Sequence, residues 1–217
     1  MTKKRTFLGD VHSLMKTVAS ETAGQVSISI DSLEEVEDED GFIVAEVAPS
    51  DGAYKGGKFK FKICPVRHYP TFSPEVQCLT DIYHPNIASY DVGMNVCVNL
   101  LEYEVWDADM SLEHCIQAIL FLFYNPNMED ALDLDSVDLT KEKFEENVKI
   151  SLEGGEVKGR VFERNYGLCA NQDITTGSKL TDQDIELNNN MTEGNAFKGA
   201  ARFLSNHYWP RAGYILS

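Results

Sequence analysis

Several features that would assign this chain to a specialised class are missing from its 217 residues. Its five cysteines, at positions 64, 78, 97, 115 and 169, are an odd number, are widely separated and form no C-x-x-C pair. That pattern argues against both a disulfide framework and a zinc site. We therefore expect reduced thiols, as in a protein of the cytoplasm or nucleus, and no bound metal.

Long apolar runs and a secretory leader are lacking as well. The longest apolar stretch, residues 115–124, is interrupted by Gln117 and is shorter than the ~18 residues that a membrane span needs. The basic residues before Phe7 are followed by no apolar leader core. The sequence thus favours an intracellular protein that does not bind a membrane.

Positive charge is scarce. The chain has 19 Lys and Arg against 35 Asp and Glu, which gives a net charge of −16. This balance opposes nucleic-acid binding, which depends on the release of counterions by basic side chains, and it favours basic partners. Residues 34–40 supply part of the charge, and their simplest interpretation is a solvated loop.

Hydrophobic periodicity predicts an α+β chain that begins with a helix. Residues 4–20 repeat apolar positions with helical spacing, which predicts an amphipathic helix. Four strands are predicted after it, at residues 25–30, 42–47, 58–63 and 76–79. Four strands in succession after a helix favour an antiparallel meander sheet.

The second half of the chain is predicted to be irregular and then helical. Residues 83–105 show no period, Ser111 suits the N-cap of a helix that ends near Tyr124, and residues 140–150 predict a further helix. We interpret residues 1–167 as one core domain and 168–217 as a C-terminal extension, with a polar linker followed by a short aromatic segment. Its helical stripe from Phe197 to Tyr208 fits either a docking segment or a loosely ordered tail.

Two residues in the irregular segment could support thioester chemistry. The turn His84-Pro85-Asn86 holds an amide, and Cys97 follows eleven residues after Asn86. An amide can donate a hydrogen bond to an oxyanion, and a free thiol with pKa ~8.5 is a few per cent thiolate at neutral pH. The alternatives are that Cys97 is a packed small hydrophobe and that Asn86 bonds nearby backbone. His84 fits best as a structural residue of the turn.

The ordered series of motifs resembles the ubiquitin-conjugating enzyme family over roughly residues 5 to 167. Several motifs in the family's order are more specific than any one of them. The matching positions are Tyr54 to Phe61, Tyr69-Pro70, Pro74 to Val76, His84-Pro85-Asn86, Cys97, Asn99, Leu101, Trp106, Asn125-Pro126-Asn127 and Glu129 to Leu132. Gly154-Gly155 followed by Phe162-Glu163-Arg164 resembles the branch that conjugates the NEDD-type ubiquitin-like modifier.

The resemblance implies the family's fold: an N-terminal helix, a four-stranded antiparallel meander sheet, a long irregular active-site segment and C-terminal helices. It implies that Cys97 carries the modifier as a thioester, that Asn86 stabilises the oxyanion and that Asp130 faces the cysteine. Tyr83, His84 and Pro85 would support the site.

The resemblance also implies partners: a ubiquitin-like modifier, its activating enzyme in an ATP-dependent pathway, a RING-type ligase and a cullin substrate. No cofactor and no nucleic acid are implied, and the expected location is the cytoplasm and nucleus.

The chain also departs from the family's pattern. The interval from Asn86 to Cys97 is about three residues longer than usual, which a loop can accommodate. Ala108, Met128 and Ala131 stand where prolines are common, and the first helix is predicted to begin almost at Met1, without the branch's N-terminal docking tail. The longer loop and the lost prolines favour an alternative, a non-catalytic scaffold or binding module of the same fold, although the retained cysteine opposes it.

Overall fold

The computed structural model describes residues 5–30, 41–88, 95–132 and 139–168. The acidic residues 34–40 and the C-terminal extension from residue 169 onward lie outside the described residues. The elements, in chain order, are α1 (Phe7–Glu21), β1 (Val26–Ile30), β2 (Ile43–Val47), β3 (Phe59–Cys64), β4 (Glu75–Cys78), a 3₁₀ turn (Asn99–Leu101), α2 (Leu112–Tyr124), α3 (Lys141–Leu152), β5 (Glu156–Val157) and β6 (Arg160–Val161). The predicted α+β architecture is confirmed.

Helix α1 forms because one side of it is apolar and its first turn is capped. Thr6, in extended backbone, accepts a hydrogen bond from the Gly9 N–H, which satisfies a donor that the helix cannot. The residues buried on its inner side are Phe7, Val11, Leu14 and Val18, at helical spacing.

The four long strands form one antiparallel sheet in the order β1-β2-β3-β4. Its pairing sets Val47 opposite both Val26 and Phe59, so that buried side chains share one face. Because side chains alternate along a strand, the intervening Lys60 and Lys62 fall on the other face, where Lys60 is exposed. The alternation seen in the sequence therefore sets the register of the sheet.

Helix α2 packs against the buried face of the sheet. Nine of its thirteen residues are buried, and Phe123 contacts the rings of Phe59 and Phe61 from β3. Each fully buried side chain of this size contributes roughly 1.5–3 kcal/mol relative to exposure. The helix begins after Ser111, whose N–H donates to His114 Nδ1 at 3.1 Å, so His114 caps the first turn.

The last described segment is attached to the residue that precedes β3. Gly154, with φ +85°, ends α3, and the N–H groups of Gly154 and Gly155 donate to the carbonyls of Ser151 and Ile150 in a Schellman arrangement. After the β5–β6 hairpin, buried Asn165 accepts from the Lys58 N–H and donates to the Lys58 carbonyl. Within the described residues, no helix has the length and apolar character to cross a membrane.

Candidate active site around Cys97

The turn at residues 84–86 is held by a histidine that is buried among aromatic rings. The His84 ring stacks on Tyr54, accepts a hydrogen bond from the Asn86 N–H at Nδ1 (2.9 Å) and donates from Nε2 to the Leu122 carbonyl (3.1 Å). Because Nδ1 is the acceptor, the proton resides on Nε2. Burial lowers the pKa of His84 to about 4, so the ring is neutral and structural at physiological pH.

Neighbouring tyrosines connect this turn to the rest of the core. The Tyr54 hydroxyl donates to the Tyr83 carbonyl at 2.8 Å, and Asn147 of α3 donates to the Tyr83 hydroxyl at 3.3 Å. All three residues are buried, and so is Pro85, whose carbonyl accepts from the Leu132 N–H at 2.7 Å. The backbone that precedes Asn86 is thus fixed from several directions.

Two short backbone segments bring Cys97 next to Asn86 despite the long interval between them. Ile87 and Val96 form an antiparallel bridge, the Ala88 N–H donates to the Asn95 carbonyl at 2.8 Å, and the Cys97 N–H donates to the Asn86 carbonyl at 2.9 Å. The backbone is thus paired on both sides of residues 89–94, which are outside the described residues. The longer spacing does not separate the two residues.

Asn95 positions the cysteine segment, a role that the motif analysis missed. Its carboxamide accepts from the Cys78 N–H at 2.8 Å and donates to the carbonyls of Cys78 and Ala88, both at 3.1 Å. The side chain is buried, so these bonds join the end of β4 to the strand-like segment that leads to Cys97. A polar residue two positions before the cysteine was its only signal in the sequence.

The Asn86 side chain is directed at the loop of residues 127–132, which we call the facing loop. Its Nδ2 donates to the carbonyls of Asn127 (3.0 Å) and Asp130 (3.2 Å), and its Oδ1 accepts from the Asn127 N–H (2.7 Å). Asn86 therefore anchors the facing loop, which is the loop-stabilising alternative considered from the sequence. Any oxyanion contact requires one of these donor bonds to be exchanged.

Cys97 is partly buried and has a thiol that is hard to ionise. Of the cysteines in the described ranges, Cys78 and Cys115 are buried, whereas Cys64 and Cys97 are partly exposed. Burial raises the pKa of the Cys97 thiol, and the nearby carboxylates of Asp130 and Glu102 raise it further. The thiolate fraction at neutral pH is consequently lower than the few per cent expected of a free cysteine.

An open groove of about 640 Å³ lies beside Cys97. Apolar residues form most of it, and the charged residues on its walls are Arg67, Glu75 and Glu102. Its lining residues are Val66, Arg67, Phe72 to Val76, Asn95 to Val98, Leu101, Glu102 and Leu132. This volume lies within the range of ligand-binding clefts.

The remaining predicted features are distributed around this centre. Asp130 is exposed on the facing loop, close enough to Cys97 to affect its ionisation. Met128 packs partly against the core, and the Ala108 carbonyl accepts a hydrogen bond from Arg5 at 3.0 Å. No cluster of three metal-binding side chains occurs in the described segments.

Comparisons with known proteins agree with this architecture. The ubiquitin-conjugating enzyme family matches residues 13–152. Two NEDD8-conjugating enzymes are similar to the chain: ubc12 of Schizosaccharomyces pombe is 41% identical over 121 residues, covering 54% of this chain and 66% of that protein, and UbcE2M of Drosophila melanogaster is 37% identical over 120 residues, covering 54% and 64%. The matched region thus spans slightly less than two thirds of these relatives.

The fold also matches a solved structure, S. cerevisiae Ubc12, with a TM-score of 0.59 and 26% sequence identity over 70% of this chain and 86% of that one. The resemblance to the neddylation branch that the sequence motifs indicated is therefore confirmed: the chain is similar to several NEDD8-conjugating enzymes. With a family match that covers more than half of its residues and a fold that agrees with it, the chain belongs to the ubiquitin-conjugating enzyme family.

Proposed function

We propose that this protein carries a ubiquitin-like modifier as a thioester on Cys97 and transfers it to a substrate lysine. The observation that supports this proposal is the position of Cys97, which lines an open groove and whose backbone is hydrogen-bonded to Asn86. Cys78 and Cys115 are buried, and partly exposed Cys64 does not line that groove. A cysteine that served packing alone would not need such access.

In the first step, the Cys97 thiolate attacks the carbonyl carbon of the modifier, which is held as a thioester on its activating enzyme. The new C–S bond forms as the old one breaks, and the activating enzyme's cysteine leaves as a thiolate. Because the pKa of Cys97 is raised, little thiolate is present at neutral pH, but the attacking form is correspondingly more nucleophilic. No histidine base is required for this exchange between thioesters.

In the second step, the neutral amine of a lysine attacks the thioester carbon, a C–N amide bond forms as the C–S bond breaks, and Cys97 leaves as a thiolate. A lysine with pKa ~10.4 is only about 0.1% neutral near pH 7.4, which costs ~4 kcal/mol. Asp130 would position the incoming lysine and accept its proton late in the reaction, and desolvation at the site would have to offset the rise in the lysine's pKa that a neighbouring carboxylate causes. Asn86 would stabilise the oxyanion after exchanging its bond to Asn127 or Asp130, an interaction worth ~10²–10³ in rate.

The similarity to NEDD8-conjugating enzymes supports a NEDD-type modifier. On that basis we infer an ATP-dependent activating enzyme as the donor, a RING-type ligase and a cullin acceptor as partners, and action in the cytoplasm and nucleus. The high negative charge of the chain is compatible with basic surfaces on these partners.

A charging experiment tests the proposal. Incubation with the activating enzyme, ATP and modifier should give an adduct that is stable on a non-reducing gel and collapses with thiol. Cys97→Ser should give a thiol-resistant ester, whereas Cys64→Ser, the matched control at the other partly exposed cysteine, should still give the labile adduct. A labile adduct that persists in Cys97→Ser would contradict the proposal.

The second candidate is a non-catalytic scaffold that holds the modifier or another conjugating enzyme. One observation favours it: both donor bonds of the Asn86 amide are made to the facing loop. The same experiment separates the two, because a scaffold binds the modifier without forming a thiol-sensitive adduct. A panel of modifiers, each with its own activating enzyme, would identify which one is carried.

A further inference from the structure

The groove beside Cys97 has charged walls that the thioester chemistry does not use. Glu75 is the first residue of β4, Glu102 directly follows the 3₁₀ turn, and both line the groove. Both side chains are exposed, and within the described part of the chain neither makes an ion pair. Two unpaired carboxylates therefore face the space that leads to the reacting sulfur.

Positive charge is scarce in the sequence that builds this region. Residues 68–140 contain no Lys or Arg and thirteen Asp or Glu. Two arginines from outside that range are engaged elsewhere, Arg5 with Asp10 and Arg160 with Asp81. Among the lining residues in the described segments, Arg67 is the only cation, so carboxylates outnumber cations in the groove two to one.

The walls between these charges are apolar. Val66, Val76, Val98 and Leu101 line the same groove and provide surface for aliphatic chains. Lys and Arg bury such chains along apolar surface while their charged ends reach a carboxylate. The groove therefore matches an extended segment whose side chains are long and basic.

We propose that this groove binds the acceptor segment and selects basic residues on either side of the acceptor lysine, with Glu75 and Glu102 receiving the flanking cations. The inference rests on the proposed function, because it assigns the substrate class of the same site. A segment whose lysine reaches the carbonyl on Cys97 must place its neighbouring residues along the space next to the sulfur. The groove begins there and is large enough for several residues.

The flanking residues are a better match for these carboxylates than the acceptor lysine itself. A carboxylate beside the attacking amine stabilises its ammonium form and so opposes the loss of the proton that attack requires. A flanking Lys or Arg stays charged throughout and pays no such cost. Its attraction to Glu75 or Glu102 holds the segment in place without suppressing the nucleophile.

The test uses the full-length protein in single-turnover reactions. Cys97 is first charged with modifier, the activating enzyme is quenched, and discharge is then followed on two peptides that carry one lysine flanked by Arg or by Glu. Free lysine serves as an acceptor too small to use the groove. We expect discharge onto the basic peptide to be on the order of tenfold faster at low salt, with the difference shrinking as salt rises.

Charge reversal gives the decisive comparison. Combined Glu75→Lys and Glu102→Lys should reverse the peptide preference, whereas Glu104→Lys, an exposed residue that does not line the groove, should preserve it. Thermal unfolding of each variant shows whether it is folded. If the double variant is unfolded, Glu75→Gln and Glu102→Gln should each reduce the ratio of the two rates.

The outcomes separate this inference from the proposed function. A charged enzyme that discharges equally onto both peptides, or a folded double variant that keeps the original preference, would overturn the inference alone. A charge reversal that impairs charging while leaving the peptide ratio unchanged would show that the groove holds the modifier's tail, and would also overturn it. Failure of the wild type to form any thioester would remove the proposed function and the acceptor site together.

Discussion

The two sides of Cys97 are built in opposite ways. On one side, His84, Asn86 and the facing loop are joined by hydrogen bonds that use nearly every polar group of the turn, and His84 is buried under aromatic rings. On the other side, the groove is open, and Glu75 and Glu102 stand on its walls without ion pairs in the described residues.

This difference indicates that the two sides of Cys97 have different roles. Buried, satisfied polar networks fix one geometry, because any alternative leaves a donor or acceptor without a partner. Exposed charges contribute little to stability but favour particular partners. Under the proposed function, the first side suits the transfer chemistry, which is the same for every acceptor, and the second suits the choice of acceptor.

The largest effect should come from removing Asn86, the side chain that anchors the facing loop on the hydrogen-bonded side of Cys97. Asn86→Ala deletes three hydrogen bonds to the facing loop and the amide donor together. We expect discharge of the charged enzyme onto free lysine to fall by ~10²–10³ and the free energy of unfolding to fall by ~1–3 kcal/mol. Single-turnover discharge and urea unfolding measure the two quantities.

A matched variant separates anchoring from oxyanion stabilisation. Asn127→Ala removes a side chain that accepts from the Glu129 N–H inside the facing loop, but it keeps the Asn86 amide. If loss of loop order accounts for the whole effect, both variants should show faster amide exchange in the loop and equally slow discharge. Slow discharge confined to Asn86→Ala would assign the oxyanion contact to Asn86.

The next largest effect concerns the stability of the protein at acid pH, and it arises from His84 on the buried side of Cys97. Burial depresses the pKa of His84 from 6.5 to about 4, so the folded state resists protonation that the unfolded state accepts. The resulting stability is complete above pH ~6.5 and is lost as the pH falls to about 4, a change of ~3 kcal/mol.

In His84→Gln, which does not titrate, this contribution should be absent. The difference between wild type and variant in the free energy of unfolding should therefore shrink by ~3 kcal/mol from pH 7 to pH 4 in urea titrations. A difference that stays constant with pH would mean that His84 does not resist protonation in the folded protein.

The smallest effect lies at the boundary between the two sides. Asp130 and Glu102 both raise the pKa of Cys97, although burial is the main cause. Asp130→Asn or Glu102→Gln should lower that pKa, increase the thiolate fraction at neutral pH and accelerate alkylation by iodoacetamide about two- to fivefold.

Two controls make that measurement specific. Glu104→Gln removes a nearby exposed charge that has no described effect on the thiol, and it should alkylate at the wild-type rate. Cys97→Ala gives the background from the partly exposed Cys64. If the Asp130 and Glu102 variants react no faster than wild type, burial alone sets the ionisation of Cys97.

Local patterns predicted the regular elements because their causes are local. Each regular element is specified by nearby residues. Examples are the alternation of polar and apolar residues around Lys60 and Lys62, the apolar positions at helical spacing before Ser20, and the helix cap at Ser111. The β5–β6 hairpin and the 3₁₀ turn went unpredicted, since elements of two or three residues are too short to show a period.

The candidate site was predictable only in part. The motif located Cys97 and Asn86, but the orientation of the Asn86 amide depends on a loop some forty residues away. The groove likewise combines Glu75 with Glu102, which no spacing rule connects. The ionisation of Cys97 depends on burial by residues from several elements, so its raised pKa could not be inferred from the motif.

The attachment of residues 165–167 to the start of β3 has a practical consequence for shortening the protein. The family match ends at residue 152, yet Phe162 and Asn165 are buried beyond it, and a Cβ on Gly167 would lie 2.7 Å from the Gly56 carbonyl oxygen. Cutting after residue 152 would remove both hydrogen bonds that the Asn165 side chain makes to the Lys58 backbone. A version that ends at Leu168 retains them, and it is the shorter form in which fusion tags and crystallisation trials should begin.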